Sequence, residues 1–469
     1  MPSSAGRLFP GFLIALAASL TAAALGATYA VSAYVAEPAV VPILLLATAA
    51  AAVGVWRLEI GIALLVVATP FAENAAIDDP ARAKLRVALV LWAILLVAVR
   101  VVKTLVEREE RLSAPPMLVG AAVYLAAALV SVTYAVDGTS ALSKFMLLSG
   151  SVMVYLLISM YLATWRRLNV VLMGLLAVGL VVSLHAIFQK ATGDVSRIGF
   201  ISTSGAVEYR ITSFFPHPNQ LAGFLGMLVP LSVGLASVFT TRALRVASWC
   251  LFVLAIVAIA FTASRGALLG LAALPLLFLR DRRAWPVIAL AGVLVLTSAP
   301  NLYRDRIAGE SQLDRPEIAE RIDIWEAAVG SFAERPLLGV GLDNFPVAYL
   351  GLERPARSFL GGGFDLPPTA HNLYLNTLTE QGLLGAAALL FLIMAVVRAA
   401  LALGRSRDPR MRVMGRSFLG VIIVLAVHNT FDVTFSDAKN ATLVWVLLGV
   451  CAALLRIDRA QDAGLPSPA

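Results

Sequence analysis

Four histidines are scattered through 469 residues, and one of them, His371, stands where a polar segment gives way to an apolar run, in AHNLYLNTLTEQGLLG. An imidazole at such a boundary can be neutral near pH 7 and act as a base toward a hydroxyl. Pro367 and Pro368 end the preceding segment, Thr369 is placed to cap a helix, and His371 falls in its first turn. Gly382 follows eleven residues later, about three turns on. Gly385, Leu375 and Leu378 continue that stripe, so a second helix or a lipid chain can approach closely beneath the histidine. The competing reading is a capping or interfacial histidine.

Three arginines have the type and position to hold an anion. Arg210 lies in YRITSFFPHPNQLAGFLG, where Pro216 and Pro218 end a loop and a helix starts at about Asn219. The free N–H groups and positive dipole end of that helix suit a phosphate, and a guanidinium adds a bidentate donor. Arg265, in FTASRGALLG, sits in a tight turn between two apolar runs, where an unpaired charge is costly. Arg321 belongs to the amphipathic ERIDIW segment. The plainer alternatives are a snorkelling Arg210 paired with Glu208, a snorkelling Arg265, and a solvated Arg321 beside Glu317 or Glu320. His428 and Asp432, at i and i+4 in VHNTFDVTFSDAKN, can pair at a helix end. His185 and His217 have no partners at metal-ligand spacing, and no HExxH, CxxC or DxD cluster, P-loop or GxGxxG opening a helix occurs, so no metal, cofactor or nucleotide hydrolysis is expected. Arginine then takes the part that a divalent cation often plays against a pyrophosphate.

The elements that must position these residues are membrane helices. The chain is 59% hydrophobic and 14% charged, with a mean hydropathy of +0.85. Apolar runs cover 8–34, 38–55, 58–72, 85–102, 115–136, 141–163, 168–188, 218–239, 244–262, 266–279, 284–299, 372–399, 415–433 and 441–456. The fold class is all-α and polytopic, with about 12–14 transmembrane helices; runs 58–72 and 266–279 are short. The first run is read as a retained helix, not a signal peptide. Cys250 and Cys451 fall in apolar runs and read as small core residues. The net charge of +8 fits the positive-inside bias rather than nucleic acid. With the N-terminus inside, Arg57, Lys103, Arg166, Arg242, Arg280, Arg405 and Arg456 all fall in cytoplasmic loops, and the loop at 73–84 fits least well. Two outer segments remain, a medium one at 189–217 and a long one at 300–370. Within the second, Ile318, Ile322, Trp325, Ala328 and Val329 share a helical face, and PLLGVGLDNF and LGGGFDLPP read as turns. The arginines, His371 and Asp432 then meet at one membrane face.

These residues resemble the O-antigen ligase family. His371-Asn372, nine residues, Gly382, two residues and Gly385 match its histidine motif, and RGALL at 265–269 matches its Arg-x3-Leu pattern. SFFPHPNQLAGFL and the RIDIW…PLLGVGLDNF stretch are also similar, so the resemblance covers roughly 180–450. It implies N-terminal helices over 1–180, a ligase/polymerase-like membrane domain over 181–456 with a periplasmic loop at 300–370, and a cytoplasmic tail at 457–469, in a GT-C-like architecture. It implies an inner-membrane enzyme with cytoplasmic termini and a periplasmic site. The reaction implied is inverting, metal-independent transfer of a glycan from undecaprenyl pyrophosphate to a sugar hydroxyl of lipid A–core. His371 would be the base, and Arg210, Arg265 and Arg321 would hold the pyrophosphate, with Asn372, Asp432, Gly382 and Gly385 in support. The partners implied are the lipid-linked donor, lipid A–core and membrane lipids. O-antigen or exopolysaccharide polymerases and protein O-oligosaccharyltransferases share the domain. Polymerases are expected to carry Arg-x10-Gly motifs in two large loops. None occurs in 300–370 and the 189–217 loop is short, which favours the ligase. A lipid-linked glycan transporter needs charges within the spans, and these are nearly absent from the central runs. A non-catalytic scaffold would keep glycan assembly intact in His371→Ala.

Overall fold

The structure is a computed structural model that describes residues 57–71, 114–193, 199–201, 207–272, 316–350, 368–434 and 437–463, with Val53, Leu96 and Leu274. The apolar runs expected at 8–34, 38–55, 85–102 and 284–299 lie outside these residues, Val53 and Leu96 apart. The described helices are α1 (Leu58–Ala68), α2 (Leu118–Val132), α3 (Gly138–Tyr161), α4 (Trp165–Thr192), α5 (Pro218–Val238), α6 (Arg242–Thr262), α7 (Arg265–Ala272), α8 (Pro316–Glu334), α9 (Phe345–Leu350), α10 (Leu373–Gly404), α11 (Pro409–His428) and α12 (Ala438–Asp462). Seven of the described helices, α3 to α6 and α10 to α12, are long and apolar enough to cross a membrane. The protein is an all-α polytopic membrane protein. Two three-residue strands, β1 (Gly199–Ile201) and β2 (Val207–Tyr209), pair antiparallel within the 189–217 segment, with Gly199 opposite Tyr209. Of the short run at 266–279, residues 266–272 belong to α7.

Local sequence sets most helix starts. Asp137, Thr164, Thr241, Asp408 and Asp437 each turn a side-chain oxygen onto backbone N–H groups of the first turn. Pro218 and Pro409 occupy the first helical position, where a missing N–H costs nothing. The helices α5 and α12 are buried nearly all round and form the spine of the bundle. Around them, α5 packs on α6 and α11, α12 on α3, α10 on α11 and α2, and α1 on α4. Cys451 is buried on α12 as expected, but Cys250 is exposed on α6, because its face of that helix turns out of the bundle.

Two features differ from the helical reading. On α8 the buried face is Ile324, Ala327, Ala328 and Ser331, while Ile322 and Val329 are exposed, since the helix packs on α10 through a stripe displaced from the apolar one. The second concerns α10, which is broken at Gly382 (φ 60°, ψ −158°). Gly382 is therefore no member of a continuous small-residue stripe. The break leaves backbone groups that a membrane helix cannot leave unmet, each costing several kcal/mol in lipid. The loop after α8 meets them. Leu383 and Leu384 N–H donate to the carbonyls of Pro336 (2.8 Å) and Leu337 (3.2 Å). Val340 and Gly341 N–H donate to the carbonyls of Thr379 (3.0 Å) and Glu380 (2.8 Å). A Cβ on Gly382 would lie 2.4 Å from the Leu337 carbonyl carbon, so only glycine fits both the conformation and the space.

Candidate functional site

The first half of α10 begins three residues later than the proline pair suggests. Asn372, not Thr369, is the N-cap: its Oδ1 accepts from Tyr374 N–H (3.0 Å) and Leu375 N–H (3.1 Å). His371 thus precedes the helix rather than lying in its first turn. It adopts φ +49°, a left-handed conformation that a histidine enters rarely. Such a backbone persists where neighbours over-determine it, and here they do. Ala370 N–H donates to Asn376 Oδ1 (3.0 Å), and Trp325 Nε1–H of α8 donates to the Ala370 carbonyl (3.1 Å). Leu373 N–H is shared between the carbonyls of Asn429 (2.9 Å) and Asp432 (3.1 Å). The turn bearing His371 is clamped from α8, from within α10 and from the end of α11.

Three of the four histidines gather around Asp432. His428, the last residue of α11, has Nε2 3.9 Å from Asp432 Oδ2, an electrostatic contact and not a hydrogen bond. His371 and His217 also act on that carboxyl. Burial raises the Asp432 carboxyl, but His428, His371, the Val433 N–H (2.7 Å) and His217 together hold it below the usual carboxylate range. His217 caps α5: its Nδ1 accepts Asn219 N–H at 3.2 Å. Burial, then the Arg210 charge, push the His217 ring down to about 4, with Asp432 acting the other way and His371 and Arg321 adding to the decrease. The ring is therefore neutral near pH 7, and with Nδ1 accepting, its proton sits on Nε2. Among the described residues no three His, Cys, Asp or Glu side chains are placed to share a metal ion.

The expected arginines occupy distinct places. Arg210 is buried between α5 and α6, with Nε donating to the Thr262 carbonyl (2.6 Å) and Nη2 to Asn219 Oδ1 (2.7 Å). Arg265 opens α7 two residues after Ala263, which turns left-handed (φ 52°) at the end of α6. Its neighbour Gly266 lies against the bundle end of α11: a Cβ there would meet Phe431 at 3.2 Å and His428 Nδ1 at 3.4 Å. Arg321, half-buried on α8, donates from Nη1 to the Phe431 carbonyl (2.8 Å), 110 residues away in sequence. Arg210, Arg265, Arg321, His371, Asn372 and Asp432 all stand at one end of the bundle. Gly382 and Gly385 do not join them there; Gly385 packs on the Gln381 side chain within α10. Sequence reasoning passed over His217, Trp325 and Asn376. Pro-His-Pro ahead of an apolar run was a capping signal for the first; the other two have partners that no local pattern shows.

Below this end runs an apolar groove with a cavity volume of about 100 Å³ between α10, α11 and α12. Leu373, Leu392, Phe418, Leu425, Leu447 and Cys451 line it. Its mouth is formed by Leu373, Tyr374 and Asn429, next to His371 and His428.

No curated protein matches the chain. Residues 250–390 match the family model described as O-antigen ligase, a narrower stretch than the 180–450 of the motif resemblance, with Arg210 and Asp432 outside it. The part of the chain that carries Arg265, Arg321 and His371 is thus similar to the O-antigen ligase family.

Proposed function

We propose that this protein is a membrane glycosyltransferase of the O-antigen ligase type, which moves a finished glycan from undecaprenyl pyrophosphate to a sugar hydroxyl of lipid A–core. The observation that carries this reading is the convergence of Arg265, Arg321 and the clamped His371 at one bundle end, all within the stretch that matches the family. His371 takes the proton of the acceptor hydroxyl as that oxygen attacks the anomeric carbon. The bond from that carbon to the pyrophosphate oxygen breaks, and the lipid pyrophosphate leaves with the electron pair. Attack opposite the leaving group inverts the anomeric centre. Arg265 and Arg321 hold the pyrophosphate, whose charge grows in the transition state. Arg210 adds positive charge from behind, because Nε and Nη2 already hold Thr262 and Asn219. Asp432 steadies the imidazolium formed on His371. The apolar groove below the turn suits the prenyl chain of the donor. In this reading the site faces the periplasm, the protein resides in a bacterial inner membrane and both termini are cytoplasmic.

The test is transfer by purified protein in detergent with EDTA, using undecaprenyl-pyrophosphate glycan and, separately, lipid A–core, free glycan and a protein acceptor. Transfer to lipid A–core that is lost in His371→Ala supports the reading. Transfer only to glycan or to protein replaces it with a polymerase or an oligosaccharyltransferase, and equal activity of both proteins removes His371 from the chemistry.

A further inference from the structure

The loop that closes the Gly382 break carries two of its leucines on the outside. Leu337 is 68% exposed and Leu338 42% exposed, and the residues they stitch, Leu383 and Leu384, are 49% and 42% exposed. Four large apolar side chains held together by backbone hydrogen bonds are costly in water, and a patch of this kind marks a contact surface.

Two rulers give its height. The second half of α10, Leu383–Gly404, has 22 residues, about 33 Å at 1.5 Å per residue, against a hydrocarbon thickness of about 30 Å. The break therefore marks the end of the spanning part. The α2–α3 turn is the second ruler. It joins two apolar helices and is tied to the same loop: Tyr134 Oη–H donates to the Leu338 carbonyl and Val136 N–H to the Val340 carbonyl (3.3 Å). A Cβ on Gly341 would overlap Ala135 at 2.4 Å, so the loop is seated directly on that turn. Below the patch, exposed Leu390, Phe391 and Met394 continue the apolar surface along α10, and exposed Leu129 and Val130 do so on α2. The surface is continuous with the one that lipid must cover.

We propose that Leu337 and Leu338 form a foot that inserts into the lipid leaflet on the site side, at the level of Leu383. The loop after α8 is then a membrane-dipping segment and not a solvent turn. The foot begins three residues after Glu334, the last residue of α8. Trp325 pins the same helix to the His371 turn, and Arg321 pins it to the Phe431 carbonyl after α11. The leaflet thus fixes the height at which α8 lies over the site. This inference rests on the membrane architecture alone and stands apart from the ligase reading.

The test uses the full chain in phosphatidylcholine nanodiscs, in a Cys250→Ser background because that thiol is exposed. Nitroxide labels are placed one at a time at positions 337, 338, 384 and 326, and their collisions with oxygen and with a water-soluble nickel chelate are compared. Labels at 337 and 338 should match the one at 384, favouring oxygen by several-fold, while the label at exposed Glu326 on α8 should favour nickel. Nickel access at 337 and 338 equal to that at 326 overturns the proposal. Shielding from both reagents also overturns it, since a protein segment or a second copy would then cover the leucines. Using both positions keeps one perturbing substitution from deciding the result.

Discussion

Helix α10 and the turn that leads into it each carry a left-handed backbone position, and the two serve different ends. At His371 (φ +49°) the strained residue is not glycine, it carries an ionisable ring, and its neighbours are polar groups from α8, α10 and α11. At Gly382 (φ +60°) only glycine fits, and the neighbours are backbone groups of a loop that replaces missing helix hydrogen bonds. In the proposed function the first keeps a costly conformation for the sake of a side chain; the second uses the absence of one to join a loop to a membrane helix. Strain at a reactive side chain points to chemistry, and strain at a glycine points to architecture.

The comparison breaks most sharply in activity. His371→Ala and Arg265→Ala should each lower transfer by about 10²–10⁴-fold, the usual worth of a general base or a charge-stabilising group, with the folded protein retained. Gly382→Ala should do the reverse. A Cβ 2.4 Å from the Leu337 carbonyl carbon forces the stitch apart and should cost about 3 kcal/mol or more, read as a lower unfolding midpoint in detergent. Gly382→Ala protein that stays fully stable would erase the distinction.

A smaller effect separates cap from chemistry at His217. Its ring is held at about 4 in the fold, against an ordinary value of 6.5. The unfolded chain therefore binds the proton first, and the stability tied to the neutral ring is present above pH 6.5 and lost as pH falls toward 4. By pH 5 the loss should reach roughly 2 kcal/mol. His217→Asn keeps an oxygen for the Asn219 N–H and should flatten this dependence, as unfolding at pH 7 and pH 5 would reveal. The depressed Asp432 carboxyl adds a loss of the same sign at lower pH. Smallest of all, Trp325→Phe removes one hydrogen bond to the Ala370 carbonyl. At about 1 kcal/mol it should lower kcat some fivefold and leave KM unchanged. A change in KM alone would mean that Trp325 shapes binding rather than the His371 turn.

Much of this architecture is written locally. The starts of α3, α4, α6, α11 and α12 follow from an Asp or Thr ahead of an apolar run, and the i, i+4 relation of His428 and Asp432 survives as a 3.9 Å contact. What local pattern does not carry is contact across long separations. Gly382 sits in a run with ordinary helical spacing, and only the Pro336–Gly341 loop, about forty residues earlier, shows that the helix breaks there. His217 looked isolated because, Arg210 apart, its neighbours come from α8, from the turn before α10 and from the segment after α11. The face of α8 shifts for a related reason: packing on α10 keeps Ala328 of the expected stripe but buries Ile324 and Ala327 in place of Ile322 and Val329.

The most direct measurement replaces His371 with glycine. That change removes the imidazole and leaves a residue that enters φ +49° freely. Transfer to lipid A–core and thermal unfolding are then measured on the same preparation. The account predicts a protein at least as stable as wild type that transfers no glycan above background. Retained transfer, or a protein that no longer folds, would contradict the assignment of chemistry to this turn.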